Sequence, residues 1–268
     1  MFPLRDENPV RRPPIVTWVI IGLCLAAYFA WQPSPLQLSD SDQDDIIFSL
    51  ENAAIPCEVV EGRPLDDNEV IATFNQGLTS ACGIDRGRSA PFAPDKSVHL
   101  AVVVSMFLHG SVLHIAFNLL FLWVFGNNVE DAFGKVGYVL FYLVGGIVAT
   151  LTHVAVDVDS TVPLVGASGA IAAVMGAYAV LYPGARVWTL VILFIVRLPA
   201  VVLLGFWFVL QFFTDPNEGV AWMAHVGGFA FGVLVGLMLR GFGDRARPPT
   251  VPYPDPWRDD YRRFGGRY

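Results

Sequence analysis

The chain has 268 residues, of which 54% are hydrophobic and 15% are charged, and its mean hydropathy is +0.52. A soluble domain of this length normally carries about a quarter charged residues, so the composition excludes an ordinary soluble protein. The formal net charge of −7 also gives no reason to expect a nucleic-acid partner.

The first long apolar run, residues 15–31 (IVTWVIIGLCLAAYFAW), follows Arg11-Arg12-Pro13-Pro14. At ~1.5 Å per residue a helix of this length reaches about 26 Å, which is enough to cross a membrane. A cleaved signal peptide is the alternative, but the run is long, flanked by aromatic residues and lacks a small-residue cleavage site. Residues 1–14 are therefore predicted to be a cytoplasmic N-terminal segment and 15–31 the first transmembrane helix.

Residues 32–97 are polar, acidic and contain several prolines. This segment is too polar for lipid and is predicted to form a long external loop or a small subdomain. Cys57 and Cys82 lie in it and can pair if the segment faces an oxidising compartment. Cys24 lies within the first span and is predicted to be inert.

Residues 98–240 form a series of apolar stretches and are predicted to be a membrane core of five helices. The predicted spans are 98–125, 136–156, 164–182, 199–213 and 220–240. Residues 183–198 are predicted to be an interfacial connection, and 241–268 a disordered cytoplasmic tail rich in Arg, Asp, Pro and Gly. The predicted fold class is thus all-α, a polytopic bundle of six transmembrane helices.

Lys and Arg residues near the span ends predict the orientation. Six spans with both termini in the cytoplasm place the basic residues inside, and the short outer loops then contain acids without Lys or Arg. The basic residues concerned are Arg5, Arg11, Arg12, Lys135, Arg186, Arg197, Arg240, Arg245 and Arg247. The loop acids are Asp157, Asp159, Asp215 and Glu218. We expect a multi-pass protein of the plasma membrane.

Polar side chains inside membrane spans are costly and mark function or interhelical contacts. The main candidates are His109, His114, Asn118, Ser168 and His225. The second, fourth and sixth spans run in the same direction, and each carries its candidate in the outer half. His114, Ser168 and His225 are therefore predicted to meet at one depth.

Helical spacing refines this set. His114 and Asn118 are four residues apart and share a face, whereas His109 is about 140° away around the same helix and is predicted to be structural. Small residues on two spans predict close helix packing, which would bring the Ser168 hydroxyl within hydrogen-bond reach of the His225 imidazole. These packing glycines are Gly169, Gly176, Gly228 and Gly232.

A serine with a histidine base forms a nucleophilic pair. His114, Asn118 and the Ser168 backbone N–H are candidate donors to a developing oxyanion. The three spans carry no carboxylate at that depth, which favours a dyad over a triad. Neither His109 nor His114 is followed by the Glu of a zinc-protease motif, so no metal or cofactor is expected. The alternatives are a packing serine and histidines that relay protons.

Three segments resemble the rhomboid family of intramembrane serine proteases: LHGSVLHIAFNLLFLWVFGNNVEDAFG (108–134), GASGAIAAVMG (166–176) and AHVGGFAFG (224–232). PLRDENP, RRPPIVTW, YPGARV and RLPA also resemble bacterial members. The resemblance implies Ser168 as nucleophile, His225 as general base, and His114 and Asn118 at the oxyanion site. It implies that Glu130 is a structural residue after the second span. The Trp-Arg pair that several members carry in the first loop is absent from 32–97.

This resemblance implies an endopeptidase that cleaves single-span membrane proteins within the bilayer. From the depth of Ser168 we expect cleavage near the outer face, after a small residue and upstream of a helix breaker that eases unwinding. One alternative is a rhomboid-like protein that binds membrane proteins without cutting them. A transporter is disfavoured because internal repeats and paired broken spans are not found.

Overall fold

The computed structural model describes residues 1–33, 43–84, 89–214 and 220–241. The helices are α1 (Ile15–Ala26, continued by a π-helical turn, Ala27–Trp31), α2 (Gln43–Asn52), α3 (Pro56–Glu61), α4 (Asp67–Phe74), α5 (Val98–Val104), α6 (Val112–Phe133), α7 (Lys135–Val156), α8 (Ser168–Leu181), α9 (Ala200–Gln211) and α10 (Trp222–Gly241). The strands are β1 (Phe2–Asp6), β2 (Arg186–Val191) and β3 (Phe194–Pro199). The predicted disordered tail lies outside the described residues from position 242 onward.

Three helices of the described chain, α6, α7 and α10, are long and apolar enough to cross a membrane. Four shorter apolar helical segments accompany them: Ile15–Trp31, Val98–Phe107, Ser168–Leu181 and Ala200–Gln211. The prediction of a mainly helical membrane bundle is confirmed at this level. Helix α8 lies at its centre, because residues 169–179 are all buried and α6, α7, α9 and α10 all pack against it.

The predicted second span, 98–125, is wrong in its bounds. Helix α5 and a 3₁₀ turn (Ser105–Phe107) end at Leu108, whose backbone is extended, and α6 begins only at Val112. Helix α6 begins there because Ser111 caps its N-terminus, a local feature that hydropathy does not reveal. The Ser111 side chain accepts a hydrogen bond from the backbone N–H of His114 at 3.1 Å, which satisfies one of the free donors of the first turn.

Glu130 consequently lies inside α6 and not after the second span. Its buried carboxylate accepts hydrogen bonds from the backbone N–H groups of Val16 (3.0 Å) and Thr17 (2.8 Å) and from the Thr17 hydroxyl (2.8 Å). The first turn of a helix has free N–H donors and favours a negative charge. Glu130 therefore fixes the start of α1 against α6, and its structural role is confirmed.

A three-stranded antiparallel sheet in the order β1-β2-β3 corrects the all-α prediction. The segment predicted as an interfacial connection is a β-hairpin, RVWTLV and FIVRLP joined at Ile192-Leu193, and its β-branched and aromatic residues favour strands. The N-terminal strand pairs with β2, with Phe2 opposite Leu190.

The N-terminal strand also lies alongside α6. Asp6 accepts hydrogen bonds from the Asn128 amide (2.7 Å) and the Tyr178 hydroxyl (2.8 Å). The Phe2 ring stacks on Phe117 at 5.0 Å between centroids. Because Phe117 is three turns from Asn128, β1 and its sheet extend along the helix toward the end of the bundle where α6 begins.

Residues 43–84 and 89–97 form a small folded unit, here called the loop subdomain. Cys57 and Cys82 are joined by a disulfide, with their Cα atoms 5.6 Å apart. Glu58 and Lys96 form an ion pair at 2.5 Å, and both side chains are only 2% exposed. Burial raises the pKa of Glu58 and lowers the pKa of Lys96, while their mutual attraction opposes both shifts. The buried pair therefore depends on both partners being present.

The loop subdomain is attached to the segment that connects α7 to α8. Backbone hydrogen bonds run from Cys57 N to Ser160 O (2.9 Å) and from Leu164 N to Ala54 O (2.7 Å). The hydroxyls of Thr73 and Thr161 lie 2.6 Å apart. The disulfide-linked unit thus holds the connecting segment a few residues before α8 begins.

Candidate active site

A cavity of about 610 Å³ opens at the end of the bundle where α6, α8 and α10 begin. All four predicted chemical residues line it: His114, Asn118, Ser168 and His225. Apolar side chains of α6, α8 and α9 continue the wall, among them Phe117, Met175 and Trp207. The structure therefore brings together the polar residues that the sequence placed at one depth.

Ser168 is the first residue of α8, and the backbone that precedes it is unusual. Gly166 has a φ of +126°, a conformation that favours glycine. A Cβ atom at Gly166 would lie 2.8 Å from Nε2 of His114 and 3.6 Å from the Ser168 hydroxyl oxygen. The imidazole and the hydroxyl therefore both lie within 4 Å of the position that a Cβ atom on Gly166 would occupy.

His114 and Asn118 are held on one face of α6. The backbone N–H of Gly110 donates to His114 Nδ1 at 3.4 Å, so the ring proton belongs on Nε2, the atom that faces Gly166. The Asn118 amide donates to the His114 carbonyl at 2.8 Å and is buried. This arrangement places Nε2 of His114 beside Gly166, two residues before Ser168.

His225 occupies the first turn of α10. Its Nδ1 atom lies 2.7 Å from Oε1 of Gln211 at the end of α9, and its ring packs 5.7 Å from the Trp207 ring. Gln211 was not among the site residues predicted from the sequence. It is a polar residue in an apolar span, so the criterion that selected Ser168 and His225 could also have found it.

The packing glycines form the closest contacts between α8 and α10. A Cβ at Gly228 would overlap the Gly169 carbonyl oxygen, and one at Gly232 would overlap that of Ala173. A Cβ at Gly176 would overlap the Phe229 carbonyl oxygen of α10, whereas at Gly169 it would lie 2.6 Å from Ala149 of α7. Backbone therefore touches backbone along most of the α8–α10 interface.

His109 is placed differently from its predicted position. It precedes α6, so the helical spacing that turned it away from His114 does not apply. Its ring is fully buried, meets the His114 ring edge-to-face at 5.2 Å between centroids, and lies 3.2 Å from the Phe107 carbonyl through Nδ1. His109 thus supports the His114 ring directly.

Comparison with known proteins identifies the family of this chain. Residues 97–242, more than half of the chain, match the family model described as the Rhomboid domain. The chain belongs to the rhomboid family. The predicted family is confirmed, and with its apolar helices the rhomboid chain is an integral membrane protein.

Three relatives illustrate the range of similarity. RHOMBOID-like protein 5 of Arabidopsis thaliana is 24% identical over 93% of this chain and 78% of its own length. Presenilin-associated rhomboid-like protein A, mitochondrial, of Danio rerio is 33% identical over 32% of this chain and 23% of its own length. Rhomboid protease GluP of Bacillus subtilis is 41% identical over 26% of this chain and 13% of its own length. Since relatives include mitochondrial proteins, a bacterial type and a plasma-membrane location stay predictions.

The α8–α10 contact gives a direct test of the site geometry. Gly228→Val inserts a branched side chain against the Gly169 carbonyl and must separate the two helices. A displacement of ~1 Å costs about 100-fold in reactivity, so we expect labelling by a fluorophosphonate to slow by that factor. The matched control is Gly22→Val, because a Cβ at Gly22 has nothing within 4 Å. Unchanged labelling in a correctly inserted Gly228→Val protein would contradict the close contact.

Proposed function

We propose that the protein is an intramembrane serine endopeptidase with Ser168 as nucleophile and His225 as general base. One observation carries the proposal: Ser168, His225, His114 and Asn118, which belong to three helices, line a single cavity at the first turn of α8. A serine used only for packing would not require an imidazole donor and a second imidazole around the same opening.

The proposed reaction assigns a step to each side chain. The Ser168 oxygen attacks the scissile carbonyl carbon while its proton passes to His225, and a tetrahedral oxyanion forms. The Nε2–H of His114, the Asn118 amide and the Ser168 backbone N–H stabilise that oxyanion. His225 then protonates the leaving amine, and water hydrolyses the acyl-enzyme with His225 acting as base again.

The proposed topology has six spans: Ile15–Trp31, α6, α7, α8, α9 and α10. The cavity and the loop subdomain then face outside, while the start of α1 and the end of α10 lie on the cytoplasmic side. The Cys57–Cys82 disulfide supports this orientation, because disulfides persist in oxidising compartments. Arg186, Arg197 and Arg240, at the opposite ends of α8, α9 and α10, fit the cytoplasmic side.

The proposed substrates are single-span membrane proteins cut near the outer face. Apolar side chains form part of the cavity wall, which supports entry of an apolar substrate segment toward Ser168. Its helix must unwind first, because helical carbonyls are hydrogen-bonded within the segment. The close approach of α8 and α10 at Gly228 and Gly232 supports a preference for Ala, Gly or Ser before the cleaved bond.

The nucleophile is tested by labelling with a fluorophosphonate and by cleavage of a single-span test substrate in liposomes. Ser168→Ala and His225→Ala should each abolish both reactions while the protein remains folded and inserted. The matched control is Ser111→Ala, which removes another serine of the same cavity and weakens the cap of α6 by about 1 kcal/mol. It should still be labelled.

Turnover in Ser168→Ala comparable to that of the unaltered protein would contradict the protease proposal. If the unaltered protein binds single-span substrates and neither cuts them nor reacts with the fluorophosphonate, it is instead a rhomboid-like binding protein.

Substrate unwinding is tested with a matched pair of substrates. One carries Gly-Pro downstream of the cut and the other carries Leu-Leu at the same positions. Each backbone group exposed to lipid costs several kcal/mol, so the initial rate should fall at least about tenfold with the uninterrupted Leu helix. The control compares both substrates after detergent solubilisation, where water reaches the segment and the difference should shrink. Equal rates in liposomes would exclude unwinding as the selectivity filter.

A further inference from the structure

Gln211 is a polar residue in an unfavourable place. It ends α9, whose other residues (AVVLLGFWFVL) are all apolar, and it is only 8% exposed. A buried amide without hydrogen-bond partners would be costly, so both ends of the Gln211 side chain are expected to be paired.

The two ends of the Gln211 amide can be told apart by their partners. Its Nε2 donates to the Trp207 carbonyl at 2.9 Å, and a carbonyl oxygen only accepts. The other end of the amide, Oε1, lies 2.7 Å from Nδ1 of His225. Because Oε1 also only accepts, the proton of this hydrogen bond must be on Nδ1.

A neutral imidazole carries one ring proton, so a proton on Nδ1 leaves the lone pair on Nε2. Nε2 is then the ring nitrogen that can accept a proton. The Trp207 ring, 5.7 Å from the His225 ring, restricts the same imidazole from α9. One helix thus sets both the tautomer and the position of the ring.

We infer that Gln211 is a positioning residue that holds His225 in the Nδ1–H tautomer with Nε2 free to act as the base. This catalytic meaning rests on the proposed function, whereas the tautomer does not. In a Ser-His-Asp triad a carboxylate accepts from Nδ1 and fixes the tautomer in this way. An amide does so without burying a negative charge at membrane depth. When His225 accepts the serine proton, its Nδ1–H donates more strongly to Oε1.

The tautomer is measured by ¹⁵N NMR on the full protein labelled at both histidine ring nitrogens. Subtracting the spectrum of His225→Ala assigns the signals of His225. The unaltered protein should show a protonated Nδ1 and an unprotonated Nε2. Gln211→Leu, which removes the acceptor, should lose this preference. Gln211→Glu, which keeps an acceptor oxygen, should restore it. The control is Val209→Ala, on the same helix but 51% exposed, which should leave the spectrum unchanged.

Measurements of kcat and KM distinguish a role of Gln211 in positioning His225 from a role in helix packing alone. Gln211→Leu should lower kcat about 100-fold with little change in KM, and Gln211→Glu should recover much of that loss. A protonated Nε2 in the unaltered protein would overturn the inference even if the Leu variant does not fold. So would a Leu variant with an unchanged tautomer and rate. If the tautomers behave as expected but the unaltered protein cleaves nothing, the proposed function fails and the positioning of His225 stands.

Discussion

Close contact between the backbones of α8 and α10 is the constraint on which the rest of the site depends. Lipid chains are as apolar as the helix surfaces, so helices in a membrane associate by packing and gain most where small residues allow close approach. Gly228 and Gly232 meet the carbonyl oxygens of Gly169 and Ala173. Ser168 begins one helix and His225 lies in the first turn of the other. Their relative position therefore follows from glycine packing below them.

Other contacts position the chain segments that surround Ser168 and His225. The disulfide-linked loop subdomain holds the segment before α8 through Ser160 and Leu164. Gly166, in its glycine conformation, leaves room for the His114 ring just before Ser168. Glu130 ties α1 to α6 near the other end of the bundle. Each of these contacts restricts the position of a helix or loop end next to the cavity.

The sequence predicted which polar residues line one cavity, but it predicted neither the sheet nor the start of α6. Ser168, His114 and His225 are polar residues in apolar segments, and their cost in lipid identifies them without a structure. The sheet was missed because Phe2 pairs with Leu190, far away in the chain, and a hairpin tip of Ile192-Leu193 has none of the usual turn residues. The chain is also apolar on both sides of Leu108, so hydropathy did not reveal that α6 begins only at Val112. For the same reason His109 was wrongly predicted to lie on the same helix as His114.

The central claim is that four side chains from three helices form one reaction centre. The most direct measurement is an experimental structure of the protein after reaction with a fluorophosphonate. We expect phosphorus bonded to the Ser168 oxygen, with its phosphoryl oxygen within hydrogen-bond reach of His114 Nε2 and the Asn118 amide. An adduct on another residue, or a phosphoryl oxygen turned away from both donors, would contradict it.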